Sequence, residues 1–221
     1  MEKGVLKTAF RDTVPVLTGY LVLGMGFGMM MSANGYGVLL PVLMSVFIYA
    51  GAMQYAAVGL LTGGASLITV ALTTLAVNAR HLFYGVSMLE KYKNCGIKKP
   101  YLIFSLTDET YSLVCNSERS ADYYFFVSVF DHSYWIAGTI LGAVLGTAVK
   151  FNTEGIDFAL TALFITVFVD QWLKAEKHFS ALTGVLATLA CLLIFGAQSF
   201  LIPSMVIITA VLLIKGRGQL K

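Results

Sequence analysis

Asn78-Ala79-Arg80-His81 lies 12 residues into the apolar segment that begins at Ser66, and the rest of the chain is read outward from it. An arginine at the centre of a bilayer costs about 2.5–3.5 kcal/mol on insertion scales, so such a residue pairs with another group or lines a polar path. On a regular helix at 100° per residue, Asn78 and His81 share a face while Arg80 points nearly opposite Asn78. One intact helix therefore cannot aim all three inward. Either Arg80 faces a partner helix while Asn78 and His81 face a cavity, or the helix breaks here and its freed backbone joins the site.

The membrane setting follows from composition. The chain has 221 residues, 57% of them hydrophobic and 12% charged, with a mean hydropathy of +0.79. A soluble domain of this length does not carry so little charge. Backbone groups in lipid must be bonded within the segment, and strand alternation is absent, so the apolar runs are predicted as helices rather than a β-barrel. The net charge of +3 is gathered in loops and tails, which orients a membrane protein and offers no nucleic-acid surface. Cys95, Cys115 and Cys191 are odd in number and widely spaced, so no disulfide framework and no metal site is expected.

The fold class expected is an all-α polytopic membrane protein, a single transmembrane transporter domain over residues 1–221. Residues 15–31, 38–61, 123–149, 158–173, 178–196 and 199–214 read as about six transmembrane helices, on the rule of about 20 residues per crossing. Two short re-entrant or broken helical elements, residues 66–90 and 101–116, accompany them. Lys3, Lys7 and Arg11 before the first span, and Lys215, Arg217 and Lys221 after the last, put both termini in the cytoplasm of a plasma-membrane, multi-pass protein.

Residues 66–90 carry a conflict. They are long enough to cross, yet Lys91, Lys93, Lys98 and Lys99 follow, and lysines favour the cytoplasmic side. The 12 residues from Ser66 to Val77 would extend about 18 Å, just past the middle of a core about 30 Å thick, and would place Asn78 to His81 at the tip of a re-entrant element.

Residues 101–116 are too short to span and read as one amphipathic helix, with Ser105, Asp108, Glu109, Ser112 and Asn116 within about a 100° arc. Surface helices usually place Lys and Arg on the polar face, whereas this stripe holds only acids. It suits Arg80 or a substrate ammonium. Elsewhere, Gly24 and Gly28 form a close-packing pair, and Gly138, Gly142 and Gly146 form a ridge. Asp131 lies seven residues before Gly138, on the same side, and so faces protein. Gln54 is either a helix-to-helix hydrogen bond or a ligand contact. His132 suits a structural hydrogen bond better than proton transfer.

Four stretches taken in order resemble the AzlC family, the large subunit of branched-chain amino acid exporters. They are Gly51-Ala52-Met53-Gln54-Tyr55, Asn78-Ala79-Arg80-His81-Leu82-Phe83-Tyr84, Thr107-Asp108-Glu109-Thr110-Tyr111 and Gly155-Ile156-Asp157-Phe158-Ala159. The resemblance implies export of leucine, isoleucine, valine or close analogues such as methionine. It also implies a small AzlD-like membrane subunit as partner; no cofactor and no enzymatic activity are expected.

A zwitterionic amino acid needs a partner for each charge and an aliphatic pocket. The candidate substrate or coupling-ion residues are therefore Gln54, Asn78, Arg80, His81, Tyr84, Asp108, Glu109 and Asp131. A non-transporting scaffold or assembly subunit, whose buried charges only join helices, is the competing reading. An intramembrane hydrolase on His81 and Asp108 lacks a nucleophile motif.

Overall fold

The computed structural model describes residues 3–148, 178–196 and 200–219, with positions 165, 168, 169, 172 and 173 between them. The predicted span 158–173, the flanking loops 150–157 and 174–177, and the Gly155 to Ala159 motif lie largely outside the described residues. The chain divides into two compact units, residues 1–161 and 162–221. Among the described residues every regular element is helical.

The first unit is built on two long helices, α1 (Lys3–Ala33) and, at its end, α9 (Ala121–Ala148). Their contact is made by glycine. A β-carbon added at Gly24 would lie 2.8 Å from the Trp135 carbonyl oxygen, and one at Gly138 would lie 2.8 Å from that of Leu21. At Gly28 and Gly142 it would overlap the main chain of Thr139 and Met25 outright. Removing side chains in this way lets two backbones touch, the small-residue packing of membrane helices. Side chains fasten the seam: Ser32 Oγ donates to the Ala143 carbonyl at 2.8 Å, Tyr123 donates to Asp12 Oδ2 at 2.8 Å, and Tyr20 sits edge-on to Trp135 at 5.4 Å. Asp131 is fully buried on the same side as the glycines.

Between the two long helices the chain makes three interrupted elements. The first is α2 (Leu39–Phe47) and α3 (Gly51–Thr62), where one span over residues 38–61 was expected. Ile48 and Tyr49 both send their N–H to the Met44 carbonyl, and Tyr49 then turns into the left-handed region at φ 45°. A side chain there costs roughly 1–2 kcal/mol. Burial of Tyr49 and its packing on His132, ring centroids 4.1 Å apart, hold it in place.

The second interrupted element is α4 (Leu67–Asn78) and α5 (Arg80–Ser87), which meet at Ala79 with a 46° bend. Ser66 caps α4 by accepting from the Thr69 N–H at 3.1 Å. The third is α7 (Lys99–Phe104) and α8 (Asp108–Val114). This corrects the single amphipathic helix expected over residues 101–116. Thr107 is extended, and its hydroxyl accepts from the Thr110 N–H at 3.3 Å, a side-chain cap that starts a new helix. Asp108 and Glu109 thereby occupy the first turn of α8, where the helix dipole favours acids, instead of forming a stripe with Ser105.

A short helix α6 (Leu89–Tyr92) and a 3-10 turn (Gly96–Lys98) carry the lysine-rich loop. Lys91 donates to the Ser117 carbonyl at 2.6 Å, and Lys98 pairs with Asp122 at the start of α9. Beneath them Met88, Tyr92, Cys95, Leu102, Val114 and Val127 form a buried cluster. Cys95 is only 6% exposed and burial pushes its thiol up, so it is a poor reporter of which side the loop faces. Ile97, 96% exposed, is a good one. An Ile97→Cys variant lacking the native cysteines should resist a membrane-impermeant maleimide in intact cells and react after permeabilisation. Labelling from outside would place the loop on the outer face.

In the second unit α10 (Phe179–Phe195) and α11 (Leu201–Gln219) pack on each other, with Lys215 Nζ 3.0 Å from the centre of the Phe179 ring. Among the described residues one helix, residues 4–33, is long and apolar enough to cross a bilayer, or two if the bent α4–α5 pair counts as one.

Candidate functional site

The helix breaks supply the walls of one cavity and the anchors of one polar cluster. The cavity has a volume of about 540 Å³ and is lined by all three breaks: Ile48, Tyr49 and Ala50 from the first, Asn78 and His81 from the second, Phe104 and Leu106 from the third. Leu82, Val86, Met88, Leu89 and Ile103 make its lining largely aliphatic, and Tyr92 and Lys99 add polar groups. His81 Nδ1 lies 3.2 Å from the Asn78 carbonyl oxygen, so the ring closes on backbone freed at the bend. Asn78 Oδ1 is buried and meets no donor. A buried acceptor left unmade costs about 1–3 kcal/mol, which a cationic ligand would recover.

Arg80 turns away from the cavity lining. Its Nη1 is 2.9 Å from Asp108 Oδ2, and Tyr84 donates to Asp108 Oδ1 at 2.6 Å. The carboxylate is thus held at both oxygens, with Tyr84 also stacked on Tyr111, ring centroids 4.4 Å apart. Arg80 and Asp108 remain 30% and 27% exposed in their side chains, so this is a half-buried pair. Of the two acids the sequence left as partners for Arg80, Asp108 makes the ion pair.

Glu109 takes a different route. The Tyr20 hydroxyl of α1 lies 2.7 Å from Glu109 Oε2 and 2.6 Å from Thr107 Oγ1. Thr107 Oγ1 lies 3.1 Å from Thr110 Oγ1, and Thr110 Oγ1 lies 2.8 Å from Asp131 Oδ2. Asp131 and Glu109, on different helices, are therefore joined through hydroxyls.

Gln54 belongs to neither group. It donates to Ser45 Oγ at 3.0 Å and accepts from the Trp135 indole N–H at 2.9 Å, while Ser45 meets Thr139 at 2.8 Å. This ties α2 and α3 to α9. His132 is likewise structural in its contacts, with Nδ1 3.0 Å from the Tyr101 hydroxyl and Nε2 3.0 Å from the Ser45 carbonyl oxygen. Sequence reasoning passed over Tyr20, Tyr49, Lys99, Thr107 and Thr110. Tyr20 had a usable signal: it lies four residues before Gly24, on the face that α1 presents to α9. Among the described residues no three His, Cys, Asp or Glu side chains come together as a metal site.

The comparisons bear on this arrangement directly. Residues 15–149, which hold every residue of the cavity and the polar cluster, match the family model described as AzlC protein. The chain belongs to the AzlC family. A relative in Bacillus subtilis (strain 168), named "Branched-chain amino acid transport protein AzlC", is 45% identical over 211 residues, covering 93% of this chain and 83% of its own. A membrane protein of Helicobacter pylori (strain ATCC 700392 / 26695) is 39% identical over 213 residues, 94% and 93% of the two chains. "Inner membrane protein YgaZ" of Escherichia coli (strain K12) is 29% identical over 191 residues, 80% and 78% of the two chains. No solved structure matches the chain. AzlC proteins thus provide the family setting, and the geometry above is this chain's own.

Proposed function

We propose that the chain exports branched-chain or related neutral aliphatic amino acids (leucine, isoleucine, valine and methionine) across the cytoplasmic membrane, in about six spans and together with a small AzlD-like membrane subunit. The cavity carries this reading. Its aliphatic wall suits a branched side chain, the unpartnered Asn78 oxygen suits an ammonium, and Lys99 offers a donor for a carboxylate. Helix breaks are where transporters commonly bind small charged solutes, because backbone groups are left unbonded there. The name of the Bacillus subtilis relative points the same way.

The test is export from cells fed a leucine-containing dipeptide. Cells carrying the chain with its small partner should hold several-fold less internal leucine than cells without it. Glu109→Gln should reach the membrane in near-normal amount yet leave leucine as high as in cells lacking the chain. Unchanged leucine with the wild-type pair would overturn the export reading and favour a scaffold whose charges only join helices.

A further inference from the structure

The hydroxyl path between Glu109 and Asp131 contains one contact too many for its own hydrogens. Four contacts link five groups in a row: Glu109 to Tyr20 at 2.7 Å, Tyr20 to Thr107 at 2.6 Å, Thr107 to Thr110 at 3.1 Å and Thr110 to Asp131 at 2.8 Å. Each hydroxyl owns one proton, so three hydroxyls can fill only three of these four contacts. With Tyr20 donating to Glu109, Thr107 to Thr110 and Thr110 to Asp131, the Tyr20 to Thr107 contact would hold two facing oxygens with no hydrogen between them. Two oxygens do not settle at 2.6 Å without a proton. The fourth hydrogen must come from one of the two carboxyl groups.

We infer that Glu109, Tyr20, Thr107, Thr110 and Asp131 form a one-proton store, the coupling-proton site of this transporter, in which a single proton is shared by two acids and passes along three hydroxyls. The assignment of a coupling role rests on the transport reading; the proton count does not.

The store has two end states of equal hydrogen-bond content. With Glu109 protonated, all donors point from Glu109 toward Asp131; with Asp131 protonated, all point the other way. Passing between them, the Asp131 acid gives its proton to Thr110, Thr110 to Thr107, Thr107 to Tyr20 and Tyr20 to Glu109. Every hydroxyl loses one proton and regains one, and only the carboxyl groups change charge.

A second observation marks Asp131 as able to take up a proton. Its side chain is fully buried and Oδ1 meets no donor, so the ionised form leaves a charged oxygen unbonded; a proton on Oδ2, the oxygen that faces Thr110, turns Oδ1 into a neutral carbonyl oxygen. Ser128 Oγ, three residues earlier on the same helix, is also buried without a partner. The titratable groups that bear on Asp131 are Tyr20 from α1, Tyr49 from the α2–α3 break, Tyr101 from α7 and Glu109 from α8. Tyr123 lies on its own helix, as does His132, which is engaged with Tyr101 and Ser45. Arg80 and Asp108 bear on Glu109. Charge at the ion pair and charge in the store therefore act on neighbouring residues of one helix turn, which is where coupling of solute to proton would require them.

Infrared spectroscopy of the purified protein in lipid tests this without any transport. At neutral pH the wild type should show the carbonyl band of a protonated carboxyl, one per chain. Glu109→Gln should abolish it, and so should Asp131→Asn. Each amide brings an N–H that supplies the fourth hydrogen permanently, leaving the opposite acid ionised. A proton held by one acid for structural reasons would vanish in one variant and survive in the other. That result, or a wild-type spectrum with no protonated carboxyl, overturns the proposal. The wild-type spectrum needs no variant to fold, and neither result depends on leucine export, so failure here and failure of the export reading are told apart.

Discussion

Gly142→Val is expected to leave almost no folded protein in the membrane. A β-carbon at this position falls on the main chain of Met25, which cannot swing aside as a side chain could. Overpacking against movable side chains costs about 1–3 kcal/mol. Backbone against backbone should cost more than that, since one whole helix would have to move off the other. Gly19→Ala is the control: nothing lies within 4 Å of its added carbon, and the gain in helix propensity should offset any loss. Size-exclusion profiles and thermal melts of detergent-extracted protein would show loss of the folded peak for Gly142→Val and little change for Gly19→Ala. Equal behaviour of the two would mean that the α1–α9 contact is looser than described.

The second large effect is expected at Arg80 and Asp108. Removing either partner breaks a half-buried ion pair, and Asp108→Ala also leaves the Tyr84 hydroxyl without its acceptor. Fully buried pairs cost about 3–5 kcal/mol when one partner is deleted, so this more exposed one should cost about 2 kcal/mol. The double variant Arg80→Ala with Asp108→Ala should be destabilised by clearly less than the sum of the singles. Strict additivity would show that the pair contributes nothing as a pair. Glu109→Ala combined with Arg80→Ala serves as the comparison cycle, because Glu109 is held by Tyr20 and makes no ion pair with Arg80, so its coupling should be smaller than that of Asp108.

The long-range seam of the fold was legible in residue spacing. Gly24 and Gly28, the four-residue repeat at Gly138, Gly142 and Gly146, and the seven-residue offset of Asp131 fix which faces of α1 and α9 meet, because helical periodicity converts spacing into direction. The breaks were harder to read. Nothing at Ile48 or Tyr49 is a helix breaker, and the left-handed turn there exists because rings from distant segments enclose it. At Thr107 the local signal was present, a threonine followed by two acids, but a stripe of acids on one continuous helix satisfied the same residues. The site itself was half visible. Polar residues inside apolar runs marked Asn78, Arg80, Asp108 and Glu109, whereas Tyr20 and Thr110 look like ordinary packing until the fold brings them between two carboxyl groups.

The bare-backbone contact between α1 and α9 also limits how this protein can move. Packed side chains can re-seat one turn further along, but here the glycine repeat is only three long, and sliding by a turn would carry Leu21 from Gly138 onto Tyr134, or Met29 from Gly146 past the end of the repeat. The two long helices consequently behave as a single mast. On the export reading, motion that opens a cavity first to one side and then to the other is left to the short segments hung around it, pivoting where their helices are already interrupted at Tyr49, Ala79 and Thr107.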